Sequence, residues 1–451
     1  MGIALLSPKT KLLRNFFSLS LVQFANNFLP ILTVPVIARI IGPEKFGAIN
    51  LAAAVITYFS LLINYGFDLT ATRSIARNPT DANNRNRVFS EIFFAKMFLL
   101  GVSLAVFIPC LFYVKALAQD KELFIYTYIA CFALVLTPNW LYQGMQELHQ
   151  IALFNLVSKL LFTLSILFIV TKQQDYIFQP LILSLSQIFV GICSFIWAIR
   201  KYQIRIYKVR FSKIMELLWT EKMIFFSMIV VILYTTTNTI ILGFVQSTRE
   251  VAYYSAGWKL IMIIQTFVSV PLKLSLFPFV GESFGRSNDD GVSKVKQILP
   301  FITIFTALSG IFIWFLAPWL IGLFYGSQFS QATTVLRILC FVPLVLALGD
   351  LFGIQTMINL KMDKQFFNIT LLGAILSLGL NFLLAKQLGA IGTAWAWLLT
   401  EICITLVMWL FLYSQKIQLI EPGYFRYKHL SGLFRPFVFV IRAKLSKSAL
   451  K

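Results

Sequence analysis

The sequence predicts an all-α polytopic membrane protein with about twelve transmembrane helices, and an internal repeat described below suggests their arrangement as two pseudo-symmetric six-helix bundles around a central cavity. Three observations carry that prediction. Of the 451 residues, 58% are hydrophobic and only 13% charged, whereas soluble domains carry roughly a quarter charged residues; no soluble core could absorb this much apolar surface. The apolar residues fall in long runs, each reaching the ~20 residues that a helix needs to cross hydrocarbon. Basic residues cluster between alternate runs and are sparse between the others, which is the positive-inside pattern. The net charge of +21 is therefore a topology signal, and a nucleic-acid surface is excluded by its distribution.

The runs lie near 16–41, 48–72, 88–114, 123–143, 151–171, 176–199, 223–245, 252–279, 297–324, 333–359, 366–385 and 390–414. Bases precede the first run (Lys9, Lys11, Arg14) and follow the second (Arg73, Arg77, Arg85, Arg87), the sixth (Arg200, Lys201, Arg205, Lys208, Arg210, Lys213, Lys222), the eighth (Arg286, Lys294, Lys296) and the tenth (Lys361, Lys364). The intervening loops hold only scattered bases, so both termini are expected on the cytoplasmic side. The expected division is an N-terminal bundle over 1–199, a basic cytoplasmic linker over 200–222, a C-terminal bundle over 223–414 and a basic tail over 415–451. The tail mixes apolar and basic residues, a pattern that either lies along the inner surface or is simply solvated. The first run is too long for a signal peptide and lacks a small-residue cleavage site, so it is read as a span. The five cysteines all sit in apolar runs without metal-ligand spacing and are read as packing residues.

The halves look like distant copies. Residues 42–62 align with 247–267, and 140–162 resemble 352–374. An even number of spans per half gives both copies the same orientation, related by an axis along the membrane normal.

The first span carries Asn26, Asn27, Pro30, Thr33, Pro35 and Arg39. Prolines in a span are tolerated where protein or a wet cavity re-satisfies the freed backbone groups. The corresponding span of the second half holds the polar interruption YTTTNTIILG (234–243), and the eighth span holds Pro271 and Pro278. Matching interruptions favour hinges at Pro30, Pro35, Pro271 and Pro278 over prolines that only shape packing.

Charged residues within or at the ends of spans mark interior or cavity-facing positions, because an ionised group at mid-bilayer costs at least ~3 kcal/mol on insertion scales. The bases are Lys96, Lys159, Lys259, Lys273 and Arg337; the acids are Asp68, Glu91, Asp350 and Glu401. Lys259 and Lys273 are nearly four turns apart and so share a helix face, about 21 Å apart along it. The repeat alignment places Asp68 opposite Lys273 as a candidate ion pair. For Arg39, Asp68 and Lys273 the competing reading is snorkelling from a span end; Glu401, near Trp395 and Trp397, has a competing place close to the outer surface.

No phosphate-cradling glycine loop, nucleophile elbow or metal-ligand set is present. No external loop exceeds about 15 residues, a size that excludes a separate catalytic domain. The expectation is a non-enzyme with no cofactor.

Residues 36–78, through Gly42-Pro43-Glu44, Phe46-Gly47 and Tyr65-Gly66, resemble the start of bacterial polysaccharide-repeat flippases. These are the O-antigen and capsule translocases of the multidrug/oligosaccharidyl-lipid/polysaccharide exporter superfamily. WLYQGMQEL (140–148) and VPLKLSLFPFVGESFG (270–285) agree with the same pattern. The resemblance implies two bundles in a V around a cationic cavity, and flipping of an undecaprenyl-diphosphate-linked oligosaccharide between the leaflets of the cytoplasmic (inner) membrane, for lipopolysaccharide O-antigen or other polysaccharide biosynthesis. It makes Arg39, Lys96, Lys159, Lys259 and Arg337 the candidates for headgroup contact, and Asn26, Asn27 and Asn238 the candidates for sugar contact. Asp68, Asp350 and Glu401 are left between ion coupling and charge balance. A polysaccharide polymerase and a chain-length regulator are the protein partners implied. The alternatives are a cation-coupled small-molecule (drug) antiporter of the same superfamily and a membrane-embedded polymerase or ligase. The first predicts a cavity dominated by acids and the second a sizeable external loop.

Overall fold

The computed structural model describes residues 8–425, with side chains described outside 8–28, 30–32, 231, 234 and 267–279. Helices α1 (Pro8–Asn64) and α2 (Phe67–Arg77) carry the first two predicted spans, and α3 (Ala82–Tyr113) the third. A short α4 (Lys115–Ala118) leads into a fourth span built from three pieces: α5 (Lys121–Tyr128), α6 (Ala130–Leu136) and α7 (Asn139–Gly144). Then come α8 (Leu148–Ile169), α9 (Phe178–Tyr202), α10 (Phe211–Thr235) with α11 (Thr237–Val245), α12 (Thr248–Arg286) and α13 (Asn288–Tyr325). The tenth span joins α14 (Ala332–Leu339) and α15 (Val342–Gly349) to a π-helical stretch, Asp350–Ile358. The last two spans share α16 (Asp363–Ser414). No strand occurs among the described residues.

By length and composition, 8 helical segments among the described residues can cross a membrane; Asp363–Ser414 holds two predicted spans, and Thr33–Arg77 the second span with the end of the first. Each of these two segments departs from helical geometry at a glycine, Gly389 (φ 58°, ψ −133°) and Gly42 (φ 75°, ψ 173°). Positive φ is open to glycine without the Cβ clash other residues suffer. A Cβ on Gly373 would lie 2.3 Å from the Ile404 side chain, so the two arms of α16 run back along each other.

The chain divides into two compact units, Met1–Ser255 with Leu320–Ser330, and Ala256–Trp319 with Gln331–Lys451. The first is centred on Phe67, Ile75, Phe89, Ile92, Trp140, Tyr142 and Tyr202. The second is centred on Val280, Ile298, Leu299, Leu351, Phe352, Met357, Met408 and Leu412. Large apolar side chains such as Phe168, Phe312, Phe315 and Leu372 are turned outward, as required when the surrounding medium is hydrocarbon rather than water.

Two sequence expectations about interruptions divide here. The polar stretch in the seventh span does break the helix: α10 ends at Thr235 and α11 starts at Thr237, with Thr236 at φ −110°, because hydroxyl side chains offer the backbone competing partners. In the first span the departure from helical dihedrals falls at Gly42, and the backbone at Pro30 and Pro35 stays helical; proline's own φ fits a helix. Thr33 Oγ1 in the same span donates to the Leu29 carbonyl at 3.1 Å. The tail beyond residue 425 lies outside the described residues.

Close approach between α1 and α12 depends on Gly47, where a Cβ would sit 1.7 Å from the Thr248 carbonyl oxygen. Gly47→Ala is expected to destabilise the protein by about 1–3 kcal/mol, the cost of overpacking. Gly101→Ala, whose methyl would meet open space, is expected to leave the melting temperature in detergent unchanged or slightly higher. Equal melting behaviour of the two variants contradicts the packing assigned to Gly47.

Candidate functional site

The interior polar centre of the first unit forms where two broken helices meet α3. The second span breaks at Tyr65 (φ 50°) and Gly66 (φ 91°). The fourth breaks between α6 and α7, at Thr137 and Pro138. Lys96, only 2% exposed on α3, reaches both breaks. Its Nζ donates to Asn64 Oδ1 at 3.0 Å and pairs with Asp68 Oδ1 at 3.5 Å, on either side of the first break. It also donates to the Leu134 carbonyl at 3.4 Å. Leu134 lies in the last turn of α6, which ends at Leu136 before extended Thr137, so its carbonyl is one of those a helix end leaves without an intrahelical amide. An ammonium has three donors and no acceptor, and here all three are used. Beside it lies a pocket of about 10 Å³ lined by Lys96, Ile92, Phe93, Val135, Pro138 and Trp140. Asp68 is the open side of the pair, its side chain 42% exposed against 3% for Lys96.

The same device recurs in the second unit. Arg337 Nε donates to the Trp314 carbonyl at 3.4 Å, and the guanidinium lies 4.6 Å from the centre of the Trp314 ring. Trp314 is four residues before Pro318, inside the continuous helix α13. Arg39 serves a helix end: its Nη2 donates to the carbonyls of Gly322 (3.1 Å) and Leu323 (2.6 Å) in the last turn of α13. Such carbonyls carry the negative end of the helix dipole; that of Gly322 also accepts from the Gly326 amide at 3.1 Å. Gln328 Nε2 returns a bond to the Arg39 carbonyl at 3.3 Å. Phe46 packs edge-on against Tyr325 and Phe329, whose own rings meet at a tilt.

The remaining sequence candidates are placed as follows. Lys159 is half-buried on α8 and has no hydrogen-bond or ion-pair partner among the described residues. Lys259 is half-buried on α12, and Asn238 is buried on α11 beside Tyr254. Asp350 opens the π-helical stretch and lies in the field of Glu401. Glu401 is buried, at 7% exposure, and accepts from Trp397 Nε1 at 3.2 Å. Pro35 is half-buried in α1. The side chains of Asn26, Asn27, Pro30, Pro271, Lys273 and Pro278 lie outside the described residues, and so does the expected Asp68–Lys273 pair; the partner found for Asp68 is Lys96. Arg39, Lys96 and Lys159 share no hydrogen-bond partner.

Asn64, Leu134 and Trp314 are not marked by the sequence pattern alone. A signal for Trp314 was present, since Pro318 within a helix must leave the carbonyl four residues back without an amide. Which base answers that carbonyl is decided by packing between spans.

Lys96→Met is expected to cost about 1–3 kcal/mol by stranding the Leu134 carbonyl and the Asn64 amide oxygen. Asp68→Asn, at the half-exposed partner, is expected to cost less. Thermal unfolding of the purified variants checks the order, and a larger loss for Asp68→Asn contradicts it.

Residues 12–284 match the family described as polysaccharide biosynthesis protein. The chain is 26% identical over 411 residues to a protein provisionally named O-antigen transporter in Escherichia coli (strain K12), covering 91% of this chain and 98% of that protein. A relative of the same name in Shigella dysenteriae is 27% identical, covering 88% and 98%. Among solved structures, the lipid II flippase MurJ in an inward closed conformation superposes with a TM-score of 0.70 at 15% identity, over 94% of this chain and 92% of that one. An inward-facing multidrug resistance MATE family transporter of the MOP superfamily gives 0.67 at 14% identity, over 89% and 98%.

Proposed function

The chain belongs to the polysaccharide biosynthesis protein family, and from that premise we propose that it flips an undecaprenyl-diphosphate-linked oligosaccharide repeat unit from the inner to the outer leaflet of the cytoplasmic membrane. The cycle is alternating access, and the product feeds assembly of O-antigen or a related surface polysaccharide. The observation that carries this reading is the end-to-end match with the E. coli relative named as an O-antigen transporter. The physical problem fits the composition. A diphosphate bearing sugars cannot enter hydrocarbon unaided, while its polyprenyl tail can remain there, so the protein has to supply polar and cationic groups within the membrane and need not break a covalent bond.

On this reading the chain is a transporter rather than an enzyme, with both termini in the cytoplasm, and it works beside a polymerase and a chain-length regulator. Among the five candidate bases, Lys159 and Lys259 are the first choice for the diphosphate. Lys159 has an uncommitted ammonium, and Lys259 is half-buried on a helix whose partner copy in the repeat is the second span. Arg39, Lys96 and Arg337 already donate to backbone carbonyls; Arg39 and Arg337 would meet a headgroup only through their remaining N–H groups, and Lys96 only by giving up one of its present partners. Asn238 is the described candidate for sugar contact, beside Asn26 and Asn27. Asp350 and Glu401 would either couple an ion or balance these bases, and Pro30, Pro35, Pro271 and Pro278 would serve as hinges. The shared fold with the MATE transporter supports a second reading as a small-molecule antiporter.

Deleting the gene separates these readings. Intact lipid-linked units are expected to accumulate in the inner leaflet. Single units reaching the outer face unpolymerised would indicate a polymerase, and normal surface polysaccharide with drug sensitivity would indicate the antiporter. In the complementation assay, Lys259→Ala is expected to insert normally and to lose transport; wild-type complementation by that variant removes Lys259 from the site.

A further inference from the structure

Helices α9 and α10 are joined by residues 203–210, the connection between the sixth and seventh spans. This segment is extended, yet its backbone is fastened. The Arg205 amide donates to Asn86 Oδ1 at 3.1 Å and the Tyr207 amide donates to Ser90 Oγ at 3.3 Å, both on α3. Arg85 Nη2 donates to the Tyr202 carbonyl at 3.0 Å just before it. Ile204 is buried in the core of the first unit, with Val209 packed against it. With those two side chains turned in, Arg205, Ile206, Tyr207, Lys208 and Arg210 are all exposed. Arg205, Lys208 and Arg210 make no side-chain hydrogen bond or ion pair among the described residues. By contrast, Lys213 is paired with Glu216 at 2.8 Å and Lys222 lies 3.1 Å over the Trp219 ring.

We propose that this fastened strap is a binding surface for anionic phospholipid, with Arg205, Lys208 and Arg210 holding the headgroup phosphates. The bases are presented on fixed backbone, so little ordering is needed when a phosphate arrives. Connectivity puts them where two spans leave the hydrocarbon. Directly alongside, on the first turns of α10, Phe211 is 59% exposed, Trp219 72% and Met223 69%. A ligand for that combination must be anionic at one end and apolar at the other, which selects a lipid over a soluble phosphate or an acidic peptide. Guanidinium forks suit phosphate oxygens, and juxtamembrane basic clusters are drawn to anionic leaflets. A countercharge, Glu91 on α3, acts on Tyr207 of the strap and is offset there by Arg87.

The test compares melting temperatures of the full chain in phosphatidylcholine nanodiscs with and without cardiolipin. Cardiolipin is expected to raise the melting temperature of the wild type. Arg205→Gln/Lys208→Gln/Arg210→Gln is expected to lose at least half of that rise, and the control Lys361→Gln/Lys364→Gln, basic residues of another loop predicted on the same side, is expected to keep it. A rise undiminished in the triple variant, an equal loss in the control, or no rise in the wild type overturns the proposal. If the triple variant does not fold, Lys208→Gln alone carries the test, since that side chain has no partner to lose. A rise that requires a polyprenyl diphosphate and is absent with cardiolipin assigns the surface to the transported lipid and also overturns the proposal.

Discussion

A proline within a membrane helix leaves the carbonyl four residues earlier without its amide, and hydrocarbon offers no water to replace it. That constraint organises the charged interior of this protein. Arg337 answers the carbonyl opposite Pro318, and Lys96 answers a carbonyl left open where α6 ends ahead of Pro138. Arg39 answers two carbonyls at the end of α13 in the same manner. In each case a cation that would be expelled from lipid on its own is retained because a neighbouring helix presents backbone dipoles it can neutralise. Each interruption and its base stabilise one another.

This pairing changes what intramembrane charge means for transport. A basic residue inside a span is usually taken as a contact for the cargo. Here three of five such residues are occupied by backbone, so the cationic character of the interior is partly structural. A centre such as Lys96 with Asp68 and Asn64, joining two broken helices to a third, also gives those helices a shared electrostatic fastening. Any rearrangement of the second or fourth span must carry the others along or break it.

Much of the architecture was legible in the sequence. Apolar runs located the spans, and the two that share α16 are parted in the sequence by the polar pair Lys386-Gln387, close to where the structure departs from helix at Gly389. The polar stretch around Thr236 was legible as an interruption, since consecutive hydroxyl residues compete for backbone bonds. Other breaks were not legible. Tyr65 adopts positive φ although it is not glycine, a cost that packing imposes and that no local pattern announces. The π-helical stretch at Asp350–Ile358 likewise arises from tertiary contact. Lys96 was legible as a buried cation, but its partners lie 28, 32 and 38 residues away, and nothing in spacing selects them from the many polar groups at similar depth.

The most direct measurement of this account is a double-mutant cycle between Arg337 and Pro318, read as thermal stability of the purified protein in one detergent. Pro318 lies within an unbroken helix, so Pro318→Ala restores the amide that the Trp314 carbonyl lacks. If Arg337 stands in for that amide, Arg337→Met destabilises the wild type clearly and the Pro318→Ala background much less, giving a coupling energy of about 0.5–3 kcal/mol. An equal cost in both backgrounds would mean that the guanidinium is held for another reason, and the pairing of bases with proline-freed carbonyls would no longer explain the charged interior.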